Sequence, residues 1–126
     1  MSLRHPIARA RGLGSAKDGV SHWWRQRLSA IFLVPLTLWL LWWLGAFALA
    51  DPQLARERLA QPLDALLMIA FVLVAAWHAQ LGLQVIVEDY VHRRGLEYAL
   101  QIALRAVFFL VAAVGVLAVL RIALTA

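Results

Sequence analysis

Two runs of 23 residues, 28–50 and 65–87, contain no Asp, Glu, Lys or Arg, and they constrain the fold more than any other feature. About 20 consecutive apolar residues cross the hydrocarbon core of a bilayer as a helix. Helix is the form to expect, because hydrocarbon offers no water and each backbone N–H and C=O must find its partner inside the segment. Asp51-Pro52 closes the first run, and a short polar connection carrying Arg56, Glu57, Arg58 and Asp64 leads to the second. Pro35 removes one backbone donor from the first helix and predicts a kink there.

A third helix is predicted over residues 96–124. Glu97, Gln101 and Arg105 recur along one side of its first turns, and the purely apolar part is 106–120. That part is short for a span, so Arg105 and Arg121 are expected to snorkel toward the two interfaces. The predicted architecture is an all-α membrane protein. It has an N-terminal segment, 1–27, and a three-helix membrane domain, 28–126, with helices at about 28–50, 65–87 and 96–124.

Composition agrees. Of 126 residues 63% are hydrophobic and only 15% charged, against roughly 25% charged in a soluble domain. A net charge of +5 and a pI near 11.1 invite a nucleic-acid reading. The basic residues instead cluster beside apolar spans, which points to membrane lipid and to no nucleic acid. Cysteine is absent, which removes disulfides, thiolate metal sites and iron–sulfur ligation on this chain. The first apolar run resolves into no cleavage site, so it is expected to stay in the mature protein.

Arg4, Arg9, Arg11, Lys17, Arg25 and Arg27 precede the first span, and Arg93 and Arg94 follow the second. The other side carries Arg56, Arg58 and Arg121. Eight against three predicts a cytoplasmic N-terminus and a periplasmic C-terminus.

His78 stands out within the second run. A polar side chain in hydrocarbon is costly and usually faces the bundle interior. Two readings stay open for it: a packing histidine bonded to a carbonyl, Gln80 or Gln84, and an axial ligand to haem iron through a neutral imidazole nitrogen. A six-coordinate haem then needs its second ligand from another subunit. Gly82, one turn on, lets a flat macrocycle or another helix approach closely. Eleven residues separate His78 from Asp89, close to three turns and about 16 Å of helix. Asp89 and Tyr90 read either as an interfacial cap and an aromatic-belt residue or as a quinone site, with the phenol bonded to a quinone carbonyl. Arg25 and Arg27 are positive-inside anchors, and Arg27 also reaches a carboxylate such as a haem propionate. Trp23, Trp24, Trp39, Trp42 and Trp43 read mostly as belt residues, whereas Trp77 packs nearer mid-membrane. His22 contacts headgroups or a partner subunit.

Two segments carry a resemblance. Gly14-Ser15-Ala16-Lys17, followed by His22-Trp23-Trp24-Arg25-Gln26-Arg27-Leu28-Ser29-Ala30, and His78 through His92 (HAQLGLQVIVEDYVH) resemble the small hydrophobic membrane anchor subunit of succinate dehydrogenase, respiratory complex II, in its proteobacterial and mitochondrial forms. The resemblance implies that His78 is one axial ligand of a haem b shared with the large cytochrome b anchor subunit. It implies that Tyr90 and Asp89 line the ubiquinone site and that Arg27 lies near the haem propionates. Gly82, His22 and Trp23 stand as supporting residues. FAD belongs to the flavoprotein subunit and the iron–sulfur clusters to the iron–sulfur subunit, so this chain alone is not catalytic. The membrane implied is the bacterial inner membrane, or the mitochondrial one in a eukaryote. The rival readings are the cytochrome b anchor of another quinone-linked dehydrogenase and a small non-redox membrane subunit.

Overall fold

The structure is a computed structural model, and it describes residues 19–125. Arg4, His5, Arg9, Arg11, Lys17 and the Gly14–Lys17 part of the N-terminal motif lie outside the described residues, as does most of segment 1–27. Four α-helices follow in order: α1 (Gly19–Trp43), α2 (Pro52–Leu59), α3 (Pro62–Tyr90) and α4 (Arg94–Thr125). A π-helical stretch, Leu44–Ala48, prolongs α1. With that extension, α1, α3 and α4 are each long and apolar enough to cross a membrane.

The expected three spans are present, with longer limits. Helix α1 starts at Gly19, so it runs unbroken through the polar His22–Arg27 segment and through Pro35. A helix rises 1.5 Å per residue, so the 29 residues of α3 extend about 44 Å, beyond the ~30 Å of hydrocarbon. The ends of α3 therefore carry their polar residues clear of the apolar slab.

The connection expected to be merely polar forms α2. Asp51 takes an extended backbone and its Oδ1 accepts from the Gln53 N–H at 2.8 Å. Pro52 at the first helical position loses nothing, since that N–H has no partner inside the helix. Helix α3 likewise begins with a proline, Pro62, after an extended residue, but the Gln61 side chain makes no cap bond. Asp64 in its first turn is buried and meets Arg58 of α2 at 3.2 Å. The Arg58 guanidinium also lies 4.9 Å from the Phe47 ring.

Helix α3 is the centre of the layout, packed by α1 on one side and by α4 on the other, and among the described residues the backbones of the outer two stay apart. The buried apolar cluster sits at the α2 end, where Trp43, Ala55, Leu59 and Val119 converge. Trp43, read from sequence as a belt residue, is 4% exposed and packs on Trp39 and Phe47 with ring centroids 6.4 and 5.9 Å away. Its neighbour Trp42 keeps the outward position. Elsewhere the surface is apolar: Phe109 is 73% and Leu117 65% exposed. A surface of this kind is stable against lipid or a partner helix and not against water.

Candidate functional site

The site forms where α1 crosses α3. Ser29 is fully buried in that contact, and its small side chain lets the two helices approach. Its Oγ lies 2.9 Å from His78 Nδ1 and donates to the backbone carbonyl of Gln26, also at 2.9 Å. The Gln26 side-chain nitrogen reaches His78 Nε2 at 3.4 Å, the long end of a hydrogen bond. A Cβ placed on Gly82 would stand 3.6 Å from that same nitrogen. Gly82 thus faces α1, and the Gln26 amide occupies the space beside it.

The partners of His78 accordingly come from α1 and not from its own helix. Gln80 donates to Gln84 Oε1 at 3.2 Å, Gln84 donates to Glu88 Oε1 at 2.9 Å, and Gln101 of α4 donates to that same oxygen at 3.2 Å. At 100° per residue, positions 80 and 84 point roughly 160° and 120° away from His78, and 88 lies at the side, roughly 80° from it. The result is a polar ladder between α3 and α4, separate from the histidine.

The pairs Ser29–His78 and Gln26–Gly82 set the register of two antiparallel helices. Arg27 falls near the level of Leu81, about 13 Å of helix short of Tyr90. Sequence alone groups Arg27 with Asp89 and Tyr90 at the membrane edge. The register sets its level along the axis about one turn from His78, but Arg27 is exposed and lies roughly 100–160° around α1 from Gln26 and Ser29, which face His78. The Arg27 guanidinium lies 5.3 Å from the Trp23 ring centroid, within cation–π range. Trp23 also stacks on Trp24 at 6.1 Å. His22 is half-buried, with Nε2 enclosed and unpartnered among the described residues.

Tyr90 ends α3 and is 79% exposed, with Asp89 exposed beside it. The helix stops because Val91 turns to an extended backbone. Three residues later α4 begins, so Tyr90, His92, Arg93 and Arg94 share one end of the molecule. Between α3 and α4, on another face from His78, a cleft of about 240 Å³ is lined by Leu73, Ala76, Trp77, Gln80, Arg105 and Phe108 among others.

Sequence reasoning singles out His78 but not its partners. Ser29 and Gln26 are three apart, on one face of α1, and Ser29 breaks the apolar character at the very start of the first run. That interruption is the signal the sequence offers.

An imidazole with one nitrogen beside a buried hydroxyl and the other beside the Gln26 amide suits a one-point metal ligand once that amide moves aside. Among the described residues no three His, Asp or Glu side chains gather, so an ion here needs a donor from outside these residues. With three long apolar helices, and an exposed phenol and carboxylate some 18 Å farther along α3 than His78, the chain has the form of a multi-pass helical membrane protein.

Comparison with known proteins makes this specific. Residues 1–112 match the family described as succinate dehydrogenase/fumarate reductase transmembrane subunit. The succinate dehydrogenase hydrophobic membrane anchor subunit of Rickettsia bellii (strain RML369-C) is 37% identical over 103 residues, 82% of each chain. That of Paracoccus denitrificans is 35% identical over 86 residues, 68% of this chain and 66% of its own. The succinate dehydrogenase membrane anchor subunit of Reclinomonas americana is 36% identical over 80 residues, 60% of this chain and 66% of its own. No solved structure matches significantly. The chain belongs to the succinate dehydrogenase/fumarate reductase transmembrane subunit family.

Proposed function

We propose that this chain is the small membrane anchor of a succinate:quinone oxidoreductase, with His78 supplying one axial ligand to a haem b shared with the large cytochrome b anchor subunit. The observation that carries the reading is His78 itself. It lies mid-span on α3, held at Nδ1 by Ser29 and met at Nε2 by the Gln26 amide that packs beside Gly82, in a chain whose relatives are named succinate dehydrogenase anchors. A haem held there supplies a one-electron redox centre. Arg27, about one turn away along the axis and exposed on another face of α1, carries a guanidinium suited to a propionate carboxylate.

Tyr90 and Asp89 form the quinone edge in this proposal. Quinone reduction takes two electrons and two protons. The Tyr90 hydroxyl donates a hydrogen bond to a quinone carbonyl, and Asp89 beside it passes protons in from the wet end of α3. Both side chains are exposed, which leaves them open to a soluble subunit seated on this end. Succinate oxidation belongs to the flavin of the flavoprotein subunit, and the clusters to the iron–sulfur subunit. This chain has no cysteine to bind a cluster. Its N-terminus is cytoplasmic in this reading, and the membrane is the bacterial inner one.

His78→Leu tests the ligation. The assembled complex should lose or change its haem absorption spectrum while the soluble subunits still co-purify. An unaltered spectrum overturns the assignment.

A further inference from the structure

We infer that Ser29 is a positioning residue that fixes the tautomer of His78 and tunes the electron donation of its free nitrogen. The inference rests on the proposed ligation by His78 and gives a role to Ser29, to which the resemblance assigns none.

A serine hydroxyl has one proton and two lone pairs. The Ser29 Oγ lies 2.9 Å from the Gln26 carbonyl oxygen and 2.9 Å from His78 Nδ1. The carbonyl can only accept, so the hydroxyl proton goes there. Without it, two oxygen lone pairs would face each other at 2.9 Å in a fully buried site. The hydroxyl must then accept from His78, and Nδ1 carries the ring proton. In a neutral imidazole the other nitrogen is then the acceptor, so Nε2 presents its lone pair. The second contact agrees, because it is the Gln26 amide nitrogen, a donor, that faces Nε2 at 3.4 Å. Both neighbours from α1 therefore select the tautomer in which Nε2 is the ligand atom.

Two consequences follow. The ring arrives at the metal in one orientation, which spares the entropy of choosing between two tautomers and several rotamers. The Nδ1–H···Oγ bond also shifts electron density onto Nε2, since a partner for the distal N–H raises the basicity of the ligating nitrogen. A stronger donor favours the ferric over the ferrous form and lowers the reduction potential. The Gln26 amide is a placeholder. It bonds weakly at Nε2 and stands beside Gly82, so it can leave when a metal takes that lone pair.

The test is a redox titration of the haem in the purified whole complex carrying Ser29→Ala, Ser29→Thr or His78→Leu. Ser29→Ala removes the acceptor and should raise the midpoint potential by up to about 59 mV, a tenfold change for a one-electron couple. The low-spin electron paramagnetic resonance signature should shift with it. Ser29→Thr restores a hydroxyl and should return potential and signature toward wild type. If Ser29→Ala loses haem although the subunits co-purify, recovery in Ser29→Thr supports the inference, and failure of both variants overturns it. An unchanged potential in Ser29→Ala, with the spectrum lost in His78→Leu, overturns the role of Ser29 alone. An unchanged spectrum in His78→Leu overturns the ligation reading as well.

Discussion

Gly115→Ala is the most discriminating test of the packing that holds α3 in place. A Cβ at Gly115 would lie 2.7 Å from Val72 Cγ1, 3.6 Å from its Cγ2 and 3.8 Å from its Cβ. Carbon atoms rest at about 3.5–4.0 Å, so the helices must part by roughly 1 Å or Val72 must turn. Turning is costly, because a β-branched side chain in a helix has one strongly preferred rotamer, and its second methyl already stands close. Overpacking of this kind costs about 1–3 kcal/mol. Against it, alanine gains up to about 1 kcal/mol of helix propensity over glycine. The clash wins, and the net loss should be about 1–2 kcal/mol. Val72→Ala removes both crowding methyls and leaves Cβ facing Cβ at the ordinary distance of 3.8 Å. The double variant should therefore recover much of the loss, with a coupling energy of about 1 kcal/mol or more. The measurement is loss of helical circular dichroism as the purified complex is titrated with a denaturing detergent, for wild type, both single variants and the double. A neutral or stabilising Gly115→Ala, or strictly additive effects, would refute the close approach of α3 and α4.

Other outcomes follow from the same structure. Trp43→Ala empties a buried aromatic position and should cost about 3–5 kcal/mol in that titration, whereas exposed Trp42 should tolerate the change far better. Arg58→Ala leaves the Asp64 carboxylate buried without its cation. Because Arg58 is itself half exposed, the loss should be about 1–3 kcal/mol, below that of a fully buried pair. Asp64→Asn in the same chain should restore part of it. Under the proposed quinone role, Tyr90→Phe should lower succinate:quinone reductase activity and leave succinate oxidation with an artificial acceptor intact. Equal loss of both activities would indicate an assembly defect instead.

The sequence by itself determined that this chain carries three segments able to cross a membrane as helices, two of them uncharged over 23 residues and the third around the shorter apolar run 106–120. Uncharged runs of 23 residues admit no other stable form in hydrocarbon. It also singled out His78, since a polar side chain is costly at that depth, and the spacing from His78 to Asp89 and Tyr90 followed from helical rise alone. The start of α1 was less legible. The polar residues His22 to Arg27 read as a flanking segment, yet they are helical, because hydropathy marks where a helix enters lipid and not where the helix begins. Trp43 reads as a belt residue because its type suits an interface; burial by α2 makes it core. What only the tertiary structure decided is the company His78 keeps. Ser29 and Gln26 lie about 50 residues away in sequence, while Gln80 and Gln84, nearer in the chain, turn toward α4. Sequence spacing fixes which residues share a face within one helix. The register between α1 and α3 is set by side chains packing across the contact, and that register assigns the histidine its proton.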